Sequence, residues 1–180
     1  LDDLKTDKAF AHVKELTGKA KAVMIVPGLV KSGFFVSGAG GEGVLMTRPA
    51  AGWSDPAFFS IGSASFGLQI GLQKSEVMLF IMSDKALEAL LKNEVKLGAQ
   101  AGVSVVTLGG AAQAAVTSNG GADIIAWSSS TGAYGGLTLE GSVIKARDTY
   151  NQSYYKTISV HSILAKAAHD KATEPLRSQM

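Results

Sequence analysis

Hydrophobic and polar positions change period several times along the 180 residues. Over residues 2–17, Leu4, Phe10, Val13 and Leu16 recur on related helical faces and Gly18 follows as a stop, which predicts an amphipathic N-terminal helix. Residues 19–27 then run apolar toward Pro27, as a buried strand does, and short strands are expected around 33–37, 43–48 and 58–61. The region 49–56, bounded by two prolines and containing Trp53, reads as a turn. Residues 76–82 are the most apolar stretch and predict a central strand buried on both faces. Ser83-Asp84 offers an N-cap for an internal helix carrying Leu87, Leu90 and Leu91. Strands resume over 97–107, 122–130 and 133–147. Val160, Ile163, Leu164, Ala167 and Ala168 restore the helical period, and Pro175 marks its limit.

Three segments share a finer pattern. Gly67, Gln69, Gly71 and Gln73 alternate with Phe66, Leu68, Ile70 and Leu72. Gly98, Gln100, Gly102 and Ser104 do the same against Ala99, Ala101, Val103 and Val105, and Gly136, Thr138, Glu140 and Ser142 form a looser third copy. Period two predicts strands, and glycines along one strand face forfeit packing unless another chain approaches closely or the sheet bends. The fold expected is α+β: a mostly antiparallel, strongly curved, Gly-rich sheet or barrel, with helices at both termini and one internal helix. No linker or composition shift interrupts residues 1–180, so a single domain is expected.

Composition narrows the function classes. Charged residues make up 18% of the chain, below the usual quarter, and 21 glycines exceed the ordinary share of about 7%. A net charge of +2 gives no electrostatic footprint for nucleic acid. Cysteine is absent, which excludes disulfides, thiolate metal sites and thiol nucleophiles. No apolar run reaches the roughly 18 residues needed to span a bilayer as a helix. The chain begins at Leu1 inside an amphipathic pattern, as a processed or trimmed form does, so a signal or lipidation segment is expected to have been removed.

Catalytic constellations are weak. Gly38-Ala-Gly-Gly-Glu-Gly43 matches GxGxxG formally, but a β-like run ending at Pro49 follows where a dinucleotide site needs a helix. A hairpin turn is the expected reading. His161 and His169 share a helical face without a third ligand, so no metal site is expected, and no cofactor is implied. No serine sits in a Gly-x-Ser-x-Gly elbow. Glu140, expected on a glycine-rich strand face where burial would raise its pKa, has no acid/base partner in the sequence. The aromatic doublets Phe34-Phe35, Phe58-Phe59 and Tyr154-Tyr155 place neighbours on opposite sides if extended. A two-sided core explains them, and so does an apolar contact site for lipid or protein. Lys19, Lys21 and Lys31 lie close in sequence to Phe34 and Phe35, and cations beside aromatics suit an anionic membrane interface; scattered solvated lysines are the alternative.

The series Ala20-Lys-Ala-Val-Met-Ile-Val-Pro27, Lys31-Ser-Gly-Phe34, Gly40-Gly-Glu-Gly-Val-Leu45 and Trp53-Ser-Asp-Pro56 resembles the SYLF, or Ysc84-like, domain. Gly67-Leu-Gln-Ile-Gly71, Leu139-Glu-Gly-Ser142 and Tyr154-Tyr155 continue the match in order, over roughly residues 10–165. The resemblance implies a non-enzymatic lipid-binding module that associates peripherally with a phospholipid membrane. It is similar to the bacterial single-domain form, which implies an exported protein or lipoprotein of the cell envelope, periplasmic or associated with the outer membrane. Eukaryotic members bind phosphoinositides and join actin-patch machinery. In some of them, lipid contact is attributed to an amphipathic N-terminal segment. Residues 2–21 match it here, with five lysines and four acids, and imply generic phospholipid binding. The lipid-contact residues expected are Lys19, Lys21, Lys31, Phe34 and Phe35. The alternative is a protein-interaction or structural envelope module without lipid affinity, its protein partner unknown.

Overall fold

Four long strands carry the framework: β1 (Ala22–Gly33), β2 (Val36–Thr47), β3 (Ala57–Phe66) and β4 (Gly71–Ile81). A computed structural model of the chain describes residues 9–33, 36–49, 52–66, 71–108, 121–128, 139–157, 159–165, 172, 174–178 and 180. Around these strands stand α1 (Ala9–Lys19), α2 (Asp84–Leu91), β5 (Glu94–Lys96), β6 (Val105–Leu108), β7 (Ile124–Ser128) and β8 (Val143–Ala146). The described helices end with α3 (Asp148–Tyr155), α4 (Val160–Leu164) and α5 (Glu174–Arg177). The eight described strands join one strongly curled sheet, in the order β5-β8-β3-β2-β1-β4-β7-β6. Every pairing is antiparallel except β6 with β7. The α+β, mostly antiparallel, strongly curved expectation holds.

Pro27 lies in β1, a central strand, where it has no N–H to give a ladder. The strand accommodates it with a bulge. Against β2, Ile25 faces Val44 and Val30 faces Gly40, five steps on β1 for four on β2. Against β4, Val26 faces Val77 and Leu29 faces Ser75, three steps for two. One extra residue therefore bows β1 toward β2 at Pro27-Gly28. A Cβ on Gly43 would collide with the Ile25 carbonyl oxygen, and one on Gly41 would lie 2.7 Å from Val26 Cγ1. These two glycines are needed because the bowed neighbour fills the space a side chain would take.

Gly38–Gly43 thus lies inside β2, not in the expected hairpin turn, and the strands expected at 33–37 and 43–48 are largely one. Two of the three sibling segments, as far as they are described, are not the strands their alternation predicts; residues 136–138 of the third lie outside the described residues. Residues 97–104 form a tight connection, with a 3-10 turn at Ala99–Ala101 and Gly98 bridged to Val103. Gly98 at φ +137° and Gly102 at φ +81° serve backbone conformations that glycine tolerates best. Leu139–Ser142 is likewise a turn, with Gly141 at φ +82°, and β8 starts only at Val143. The segment 66–73 is divided, since β3 ends at Phe66 and β4 begins at Gly71; residues 67–70 lie outside the described residues.

Both sheet faces are covered. On the inner face a lateral row, Ala57–Leu45–Met24–Leu79–Ala126, follows the strand register and packs with Ala86 and Leu90 of α2 and Val160 and Leu164 of α4. On the outer face Val13 and Ala20 join Val23, Phe80 and Ile125 beneath α1. Residues 77–81 of β4 are buried on both sides, as expected of a central strand. Ser83 caps α2 by accepting from the Ala86 N–H at 3.1 Å, also as expected.

The C-terminal half differs more. Tyr154-Tyr155 is helical rather than extended, in α3. That helix docks through buried Asn151, whose Oδ1 accepts from the Phe58 N–H and whose Nδ2 donates to the Phe58 carbonyl. Tyr155 Oη donates to the Pro56 carbonyl at 2.6 Å. Pro175 opens α5 instead of ending a helix, as suits a first turn whose N–H groups lack partners. Ala167 and Ala168 fall outside the described residues.

Candidate functional site

Helix α1 ends at Lys19, and the chain enters β1 three residues later, at Ala22. The carbonyl ends of this helix carry partial negative charge, which draws cations. Arg48, just after β2, donates to Gly18 O at 2.8 Å and Thr17 O at 2.9 Å, while its guanidinium lies 4.6 Å from the Trp53 ring centroid. Lys19 pairs with Glu15 at 2.5 Å and Lys21 with Asp84 at 3.0 Å, both lysines remaining largely exposed. Gly18–Lys21, Thr47–Pro49, Asp84, Leu87, His161 and Leu164 line an open groove of 520 Å³ here. The structure therefore brings Lys19 and Lys21 together and adds Arg48, Trp53 and His161 around them. Arg48 and Trp53 were not candidates from sequence. The pre-proline position of Arg48 and the turn around Trp53 were visible, but their convergence on α1 is tertiary.

Lys31 stands elsewhere. It lies on β1, ten residues beyond Lys21, which immediately precedes that strand, about 30 Å away at strand rise. Phe34 and Phe35 lie outside the described residues.

A second surface runs across the outer sheet face. The register aligns Phe58, Val44, Ile25, Met78 and Trp127 in a lateral row over β3, β2, β1, β4 and β7. At strand spacing this row is about 19 Å long. Helix α1 covers the row to one side of it. On the other side, two residues along each strand, Glu42 and Glu76 stand either side of Pro27. Tyr150 of α3 and Leu176 of α5 complete the walls of a trough of 510 Å³. Arg147 bridges to Glu42 at 3.0 Å and lies 4.6 Å from the Tyr150 centroid. Phe58 meets Tyr150 edge-on at 6.2 Å. Of the Phe58-Phe59 doublet, Phe59 fills the inner core and Phe58 faces this trough, so the two-sided reading holds for that pair.

The groups weighed for catalysis do not converge. Glu140 is exposed in the turn before β8, not buried on a strand. His161 is exposed on α4. Among the described residues no three His, Asp or Glu side chains are grouped to hold a metal ion. The most perturbed carboxyl has a structural setting. Burial would push Asp123 up, but hydrogen bonds from Ser83 Oγ and from Ser104 N and Oγ, with Lys85 at 3.2 Å, outweigh it and hold the pKa at about 2. It ties the α2 cap to the starts of β6 and β7.

The curled sheet thus carries a groove flanked by Lys19, Lys21 and Arg48 at one end and a largely apolar trough across its back. The chain belongs to the Ysc84 family, whose model, described as "Las17-binding protein actin regulator", matches residues 62–180. It is 32% identical over 157 residues to human SH3 domain-containing YSC84-like protein 1, covering 86% of this chain and 45% of that one. The rat protein of the same name is 31% identical over the same length. Protein YSC84 of Saccharomyces cerevisiae is 32% identical over 141 residues, covering 76% of this chain and 30% of its own length. The chain thus spans less than half the length of these relatives.

Proposed function

We propose that the chain is a non-enzymatic module that binds a phospholipid membrane peripherally through the basic end of α1. The observation that carries this reading is the convergence of Lys19, Lys21 and Arg48 on one open groove beside Trp53. Exposed surface ion pairs such as Lys19–Glu15 are worth little, so lipid phosphates compete for the lysines at small cost. Each lysine near an anionic surface contributes about 1 kcal/mol, and tryptophan favours the interfacial layer. Lys31, toward the other end of β1, is the second locus for the same contact, with Phe34 and Phe35 close to it in sequence. The membrane proposed is that of a bacterial cell envelope, which rests on the resemblance to exported members alone.

Co-sedimentation with anionic and zwitterionic vesicles tests the reading. Binding that favours anionic vesicles and weakens with salt is expected; equal failure with both, with the fold intact, removes it. Lys19→Gln with Lys21→Gln, set against Lys31→Gln with Phe35→Ser, separates the two loci. The family description favours a second reading, a protein-interaction module. Saturable capture of a defined protein by a chain with no vesicle affinity would select it.

A further inference from the structure

We propose that the trough across the outer sheet face takes one uncharged hydrocarbon chain, and that residues 174–178 with Met180 form a strap that holds this chain against the sheet. The site is separate from the α1 groove and does not rest on the membrane reading. Its shape carries the first part. The floor from Phe58 to Trp127 is one side chain wide per strand and about 19 Å long, which suits one extended chain better than a bulky ring system. Its 510 Å³ falls within the roughly 300–1,000 Å³ typical of small-molecule sites.

Charge decides the class of ligand. The described lining holds two carboxylates, Glu42 and Glu76, and no cation. Both carboxylates are already engaged within the chain: Glu42 bridges to Arg147 at 3.0 Å, and Glu76 has an interaction of its own. Arg147 lies in turn against the Tyr150 ring. An anionic head meets repulsion here, and a cationic head has to compete with existing pairings. An uncharged chain needs neither, and it gains by leaving water along the whole apolar row.

The anchors of the strap carry the remaining part. Leu176 lines the trough, Met180 packs against the apolar cluster beneath α1, and between them Arg177 reaches Asp55 at 3.1 Å. Those two side chains are 18% and 15% exposed, so their pairing is shielded as the solvated Lys19–Glu15 pair is not. The Ser178 N–H donates to the Glu174 carbonyl at 2.9 Å and closes a single turn. No residue of Glu174–Arg177 is buried, so the strap can part from the sheet to admit a chain while the core stays folded.

Titration calorimetry with dodecyl maltoside, dodecyl sulfate and dodecyltrimethylammonium, each below its micelle concentration, tests this. Trp127 emission in a Trp53→Phe background reports occupancy of the trough. The native chain is expected to bind one dodecyl maltoside saturably, and neither charged analogue more tightly. Leu176→Ala, at a half-exposed position, should weaken binding roughly five- to tenfold through lost apolar contact. Arg177→Ala should also weaken it, and Arg177→Lys should keep the native affinity. No saturable binding by the native chain overturns the site, and a charged analogue that binds more tightly than the maltoside overturns the ligand class. Undiminished binding by Leu176→Ala overturns the strap as a wall. No difference between Arg177→Ala and Arg177→Lys overturns the ion pair as its anchor.

Discussion

Asn151 reads the backbone of Phe58 at both ends: its Oδ1 accepts the Phe58 N–H at 2.8 Å and its Nδ2 donates to the Phe58 carbonyl at 3.1 Å. A side chain fully buried in α3 thereby acts as the strand partner that β3 lacks at its start. Asn151→Ala leaves the Phe58 N–H without this partner, at about 1–3 kcal/mol, while the Phe58 carbonyl still accepts from the Arg147 N–H at 2.8 Å. Urea denaturation should show a loss of about 1–3 kcal/mol, against under 1 kcal/mol for Gln152→Ala next to it, which is exposed. Equal losses for the two would contradict this role.

The glycines of β2 are not equivalent. Gly43→Ala must displace the β1 backbone at Ile25 and should cost about 3 kcal/mol or more. At Gly38 an added Cβ meets only Ser63 O at 3.6 Å, ordinary contact, so Gly38→Ala should be neutral or stabilise by about 0.5 kcal/mol. Thermal midpoints of the two variants check the difference.

Asp123 gives the fold an acid-sensitive joint. Its pKa is held at about 2 against an ordinary 3.8, so its contribution is fully present above about pH 4 and is lost as pH falls through 2. The shift corresponds to about 2 kcal/mol. Asp123→Asn should therefore destabilise by about that amount at pH 6, with the gap closing toward pH 2. A gap constant across pH 2–6 would contradict the assignment.

Sequence periodicity revealed what local chemistry controls. The apolar run 76–82 and the Ser83 cap gave β4 and α2, because burial on both faces and a capped start each leave a mark in consecutive residues. Alternation misled at Gly98 and Gly102, since period two arises equally when glycines serve positive φ in a connection. It also hid the true close approach, at Gly41 and Gly43, because that depends on a bulge in the neighbouring strand. Of the candidate lipid-contact residues, Lys19 and Lys21 were legible as a pair, whereas Arg48 and the row from Phe58 to Trp127 are assembled only by strand register. Helix α3 was missed because Asp148–Tyr155 is polar and lacks an apolar stripe; Asn151 and Tyr155 hold it with hydrogen bonds.

The membrane reading stands most directly on two lysines. Vesicle affinity of the native chain and of Lys19→Gln/Lys21→Gln, measured on anionic vesicles at low and high salt, isolates their contribution. The pair should be worth about 2 kcal/mol, roughly a 30-fold loss of affinity at low salt that shrinks as salt rises. Undiminished, salt-independent binding by the double variant would contradict membrane recognition through the basic end of α1.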